Sequence, residues 1–275
     1  MRRGSWLVVV SAVLLVRVAP LASQASKTDW SLEGIRTGFC VQFLLDPAAE
    51  VLKDRQVAPR PLPASQVKDL PLPLRGVVEA RPEFASWSPS RLCFFAVDTV
   101  RASDFVLGDE SGRRTELVGY WTVATADTAG GVRDVVLEVF AESKRLIGAG
   151  RKAGQDVRRA RLDLGKVPEE DENGVPSTDD RFEVRVDKTT ITWDGRLVGD
   201  SVRPKEPVVG AWRRAASGGR PLGARVAIEP SYARPMAGAL KIDGKDALAR
   251  TLRASPTRFA GPAYWGGGGK VTFAP

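Results

Sequence analysis

The chain runs to 275 residues, 43% hydrophobic and 27% charged, with 41 basic and 33 acidic side chains and a formal charge of +8. A chain of this size and balance can bury a core without metal or a dense disulfide framework. It contains no histidine. Ser–His–Asp and Cys–His catalysis, the usual zinc sites and the His-bearing iron triad are therefore excluded, and only a hard cation on oxygen ligands remains open.

Residues 1–25 read as an export signal. Arg2 and Arg3 precede an apolar run over residues 6–16, and Ser23 and Ala25 are small residues at which a signal peptidase can cut. The run is about half the roughly 20 residues that a spanning helix needs. An uncleaved N-terminal anchor is the competing reading, and no cysteine follows the run to carry a lipid. Losing Arg2, Arg3 and Arg17 with the signal lowers the charge from +8 to +5. Export places the protein in the periplasm or outside the cell, with no transmembrane segment in the mature chain. Nucleic acid is not an expected partner there, and no aromatic-interleaved basic stripe points to it.

Residues 26–36 form a polar entry segment, loosely held. Residues 37–45 form an apolar run bounded by Gly38 and Asp46-Pro47, the pattern of a buried strand. Asp46 and Pro47 then suit the cap and first turn of a short helix ending near Asp54. Five prolines between residues 58 and 73 predict an extended surface loop.

The pattern becomes β from Arg91 onward, with strands expected over residues 92–100, 116–126 and 132–140. Residues 143–150 suit one or two helical turns ended by Gly148 and Gly150. Residues 169–180 are an acidic, exposed loop. A hairpin follows, with Phe182, Val184 and Val186 before a turn at Asp187-Lys188, Ile191 and Trp193 after it, and a second turn at Asp194-Gly195. Further strands are expected over residues 208–213, 224–228 and 271–273, with an amphipathic helix over 246–252. The fold class expected is a strand-dominated α+β domain over residues 26–275, with a curved antiparallel sheet or barrel-like core and two or three short helices.

Cys40 and Cys93 both lie in apolar stretches. An even pair in an oxidising compartment points to a disulfide closing a loop of about 53 residues. Two buried thiols packed as small apolar groups are the alternative.

Several motifs fail on their surroundings. Ser65-Gln66-Val67-Lys68 has the S-x-x-K spacing but lies among prolines without a following K-T-G element. Gly266 to Lys270 ends like a phosphate loop, yet Tyr264 replaces the required glycine and Val271 the magnesium-binding hydroxyl. Asp171, Asn173, Asp179 and Asp180 offer oxygen ligands without the calcium-loop order. No metal and no cofactor is therefore expected. Arg151, Arg158 and Arg159 can clamp a carboxylate or phosphate; an exposed strand edge or face is the plainer reading of them.

The run Gly150-Arg151, Gly154 and Arg158-Arg159-Ala160 resembles the acetoacetate decarboxylase-like family, which places such a run just after a series of β-strands. Residues 40–46, followed by a short helix and prolines, are compatible, so the resemblance spans residues 37 to about 165. It implies a curved, barrel-like sheet around a small cavity. The family's Schiff-base chemistry requires a lysine in the basic pair, and here both positions are arginine, which stays protonated and forms no imine. Lys144, Lys152 and Lys166 are nearby in sequence, with nothing to place one in a pocket. The functional expectation is a noncatalytic protein that binds a small organic ligand, its anionic group held by Arg151, Arg158 and Arg159. An enzyme of that family with an altered site, or a structural envelope protein, are the alternatives. Oligomeric state is not legible.

Overall fold

The computed structural model describes residues 30–54, 61–62, 64–102, 105–108, 115–126, 132–152, 157–164, 179–200, 202, 208–214, 222–228, 232–265 and 269–274. The expected signal and the acidic insert up to residue 178, with Asp171 and Asn173, lie outside them.

Strand β1 (Trp30–Leu45) begins earlier than the polarity of residues 26–36 implies. Trp30, Leu32 and Ile35 are buried, and the charges between them are paired. Glu33 takes Arg101 and Lys270, both at 3.1 Å, and Arg36 takes Asp98 at 2.6 Å. The loosely held entry segment is thus corrected to half of a strand. Gly34, at φ +68°, lies against Asp98, where a Cβ would meet the carboxylate.

After β1, Asp46 Oδ1 accepts from the Ala48 N–H at 2.8 Å, and α1 (Glu50–Asp54) follows. The extended loop expected over residues 58–73 is also corrected, because α2 (Ala64–Val67) and α3 (Leu72–Ala80) occupy part of it. Pro73 sits in the first turn of α3, where its missing N–H has no intrahelical partner to lose.

Next come β2 (Ser88–Ala102), β3 (Phe105–Gly108), β4 (Glu116–Ala126) and β5 (Val132–Ala141). Helix α4 (Lys144–Lys152) runs through both glycines expected to end it. Short strands β6 (Val157–Arg159) and β7 (Leu162–Leu164) lead to the hairpin of β8 (Asp179–Val186) and β9 (Thr189–Leu197). Its turn places Asp187 at φ +51°, a conformation that Asp tolerates. The chain ends with β10 (Val208–Arg214), β11 (Leu222–Ile228), β12 (Tyr232–Arg234), β13 (Met236–Asp243), α5 (Ala247–Ala254), β14 (Arg258–Trp265) and β15 (Lys270–Ala274). Asp246 caps α5 as expected, accepting from the Ala249 N–H at 2.9 Å. Five short α-helices are described where two or three were expected.

The strands form two sheets. The larger runs in the order β12-β14-β1-β15-β11-β10-β5-β4-β2-β3, with β6 on β5, and β2 pairs back onto β1. This return pairing curves the sheet strongly. The smaller sheet runs β13-β9-β8-β7. The fold class is therefore the strand-dominated α+β arrangement expected, with one correction. The large sheet is mixed, because β6 and β10 both lie parallel to β5.

Alternation along the central strands separates two cores. Phe39, Phe43, Leu92, Phe94 and Trp121 face the smaller sheet and α5, packing on Phe182, Trp193 and Leu252. Phe39 and Phe182 meet across the two sheets with ring centroids 5.3 Å apart. The opposite set, including Cys40, Cys93, Phe95, Tyr120, Val136, Val139 and Val157, fills the inside of the curve together with Leu146 and Ile147 of α4.

Candidate functional site

The inner face of the curve changes character along its strands. Cys40 and Cys93 stand opposite each other in the β1–β2 ladder, with sulfurs 2.00 Å apart. The next position on the same face pairs Gln42 with Arg91, and Arg91 in turn faces Thr122 on β4. One step further along, Ala124 pairs with Asp134 on β5. The interior thus turns from aromatic and aliphatic to polar within two residues.

These polar residues line an open groove of about 210 Å³, and Gln66, Asp69, Leu70, Pro71 and Leu74 close it from the α2–α3 side. Leu74 anchors that side and is buried. The Pro71 carbonyl accepts from the N–H groups of Leu74 and Arg75, each at 2.9 Å, which fixes the start of α3 over the groove. Gln42 is held by donating Nε2–H to the Gly261 carbonyl at 2.7 Å.

Arg91 is exposed, and its guanidinium forms no ion pair or hydrogen bond with another described residue. Burial raises the Asp134 carboxyl above the ordinary aspartate value, and the nearby positive charge of Arg91 pulls it back. Behind them, burial pushes the hydroxyls of Tyr120 and Tyr264 upward, again opposed by Arg91. One cation therefore acts on three acidic groups at the mouth of the curve. The arrangement can bind a small polar molecule and hold its charge. No lysine is among the described residues that line the groove.

The residues singled out in the sequence lie elsewhere. Arg158 and Arg159 stand on β6, opposite Phe140 and Ala141 at the far end of β5. Seven residues of strand separate Ala141 from Asp134, on the order of 20 Å. Arg158 bonds Glu138 at 3.1 Å and Asp187 at 2.8 Å, with its guanidinium over the Phe140 ring. Arg159 is exposed, and the Arg151 side chain lies outside the described residues. Lys144 is exposed on α4, while the Lys152 side chain and Lys166 are not described. Ser65 and Lys68 are exposed too, and neither lines the groove. The Gly269 carbonyl is used by the backbone N–H groups of Gly34 and Ile35. Asp179 and Asp180 belong to β8, and among the described residues no acidic cluster is able to hold a metal.

Sequence reasoning missed Arg91, Asp134 and Gln42. The available signal was alternation, since each is the polar continuation of an inward-facing apolar series on a strand that was itself expected. Only the register between strands brings the three together.

Neither a family model nor a curated protein sequence matches the chain. Among solved structures it is similar to the enduracididine biosynthesis enzyme MppR complexed with pyruvate, at 10% identity over 92% of this chain and 91% of that one, with a TM-score of 0.51. The same enzyme with HEPES buffer bound gives 11% identity over 94% and 91%, with a TM-score of 0.50. An acetoacetate decarboxylase-like enzyme from Sphingomonas wittichii RW1 gives 11% identity over 94% and 95%, with a TM-score of 0.47. At such identities the likeness is one of fold.

Proposed function

We propose that this is an exported protein that binds a small organic acid, its carboxylate on Arg91, without transforming it. The observation that carries the reading is an arginine whose guanidinium has no ion pair or hydrogen bond to another described residue, set at the edge of a concave polar groove. A planar guanidinium suits bidentate carboxylate recognition. The groove's 210 Å³ is below the roughly 300 Å³ at which drug-sized sites begin, so the ligand is a molecule of a few heavy atoms. Pyruvate, present in one of the MppR structures of similar fold, is in that size class. Arg158 already shares its charge with two protein carboxylates, which favours Arg91 as the anion contact. Export rests on the pattern of residues 1–25 and on the Cys40–Cys93 pair. No described helix is long and apolar enough to cross a membrane.

Thermal-shift and calorimetric titration of the mature chain with two- to six-carbon acids tests the reading. Binding by the wild type and its loss in Arg91→Gln are expected; no heat and no shift with any acid would overturn it. The shared fold with MppR favours one second reading, an enzyme that forms an imine through a lysine outside the groove. Borohydride treatment in pyruvate then leaves a stable mass adduct, whereas the binding reading predicts an unmodified chain. Fractionation of cells producing the full chain checks export, with a mature N-terminus expected near Ser26.

A further inference from the structure

The charges lining the groove do not match a simple anion. Among the described residues that line it, Arg91 is the only cation, while Asp69 and Asp134 are both acidic. A carboxylate bound to Arg91 alone would sit in a pocket whose remaining charges repel it. We infer that the ligand is zwitterionic, a small amino acid whose carboxylate lies on Arg91 and whose ammonium is received by Asp134, with Asp69 at the rim. The inference rests on the binding reading above and narrows it to one chemical class.

The topology supplies the two poles. Arg91 and Asp134 sit on β2 and β5 with β4 between them, and their registers differ by two residues on β4. Strand spacing and rise then put their backbones about 12 Å apart. The long arginine and short aspartate side chains leave a gap suited to a molecule that carries both charges. The Asp134 carboxylate forms no hydrogen bond or ion pair with another described residue beyond the longer-range pull of Arg91, although it lies on the inner face of the sheet. Burial makes its ionised form unfavourable, and an incoming ammonium supplies the missing partner. Gln42, Gln66 and Thr122 add neutral hydrogen-bonding groups that suit either end of such a ligand.

Calorimetry with matched pairs decides the matter on the mature wild-type chain. The pairs are alanine with propionate and 4-aminobutyrate with butyrate, and alaninamide provides an amine without a carboxylate. At least one amino acid should bind ten-fold or more tightly than its deaminated partner, and alaninamide should bind weakly. Asp134→Asn should abolish this preference and, by removing a repelling charge, tighten the binding of the plain acid, and Asp69→Asn, at an exposed position, should reduce the preference in part. Equal or tighter binding of propionate and butyrate overturns the zwitterion inference and leaves the acid-binding reading standing. Failure of every acid and amino acid to bind overturns both. The wild-type ranking carries the test even where a variant does not fold.

Discussion

Cys40 and Cys93 face each other in the ladder that, one inward-facing position later, pairs Gln42 with Arg91. Both cysteines are fully buried, and they join strands separated by 53 residues of chain. Restricting a loop of that length stabilises by about 4 kcal/mol on the chain-entropy model. A Cys40→Ala/Cys93→Ala variant should therefore unfold at lower denaturant, with a loss of about 2–4 kcal/mol in guanidinium titration. The native wild type should resist alkylation even after mild reductant, and label only once unfolded. Equal stability of the double variant and wild type would show that the pair contributes no crosslink.

Arg158 and Arg159 are neighbours with opposite expected effects. Glu138 is buried at 4% side-chain exposure, and Arg158 supplies one of its partners while also bonding Asp187 in the β8–β9 turn. Removing that partner leaves a buried carboxylate less compensated. Because Arg158 itself is half exposed, solvent relieves part of the loss, and Arg158→Ala should cost about 1–2 kcal/mol. Arg159→Ala, at an exposed strand position, should fall within about 0.5 kcal/mol of wild type. Thermal unfolding of the two variants separates a structural clamp from a surface charge. Loss of acid binding in Arg159→Ala with stability unchanged would instead return the anion contact to β6.

Gly195 reads in the sequence as a turn, but β9 runs straight through it to Leu197. It lies opposite Gly238 of β13, and a Cβ there would collide with the Ala237 carbonyl and the Gly238 Cα, as well as the Trp193 ring. The glycine serves close approach of two strands. Gly195→Ala should destabilise by about 1–3 kcal/mol or more, because backbone on the neighbouring strand cannot move as a flexible side chain would. Gly199→Ala makes the contrast: it is at φ +69° with open space around it, so backbone strain alone acts there. Denaturant midpoints for the two variants check the difference.

What the sequence made legible followed hydrophobic alternation. Strands β2, β4, β5, β8, β10, β11 and β15 were expected within a few residues because their apolar positions are large or β-branched. Strand β13, which reads Met-Ala-Gly-Ala-Leu-Lys-Ile-Asp, carries small residues where a strand signal needs bulk, and the close pairing at Gly238 explains why. Residues 30–36 looked like solvent-exposed chain because Glu33 and Arg36 are charged, and only their distant partners, Lys270, Arg101 and Asp98, reveal a buried strand. The groove was illegible for the same reason. Arg91, Thr122 and Asp134 lie on three strands, and no local pattern encodes the register that gathers them. The conspicuous arginine run drew the expectation to β6, where Arg158 is tied to the protein's own carboxylates.

Asp134 gives the site a pH signature that needs no ligand. Burial raises its carboxyl above the ordinary value of 3.8, so over the interval above that value the folded chain keeps a proton that the unfolded chain has released. The native state then binds more protons, and stability falls as pH rises through that interval. Glu116 is displaced upward by burial and adds to the same slope from its ordinary value of 4.5. Tyr120 and Tyr264 extend it above pH 10, where the unfolded phenols ionise before the folded ones. Asp134→Asn removes the first contribution and the part of the Tyr120 displacement that the Asp134 charge supplies. It should be more stable than wild type near neutral pH and nearly equal to it below pH 4. Denaturant unfolding across pH 3 to 9 measures this directly. A variant less stable than wild type at pH 7 would mean that the carboxylate has a partner in the native fold, and the free pole required for an ammonium would be lost with it.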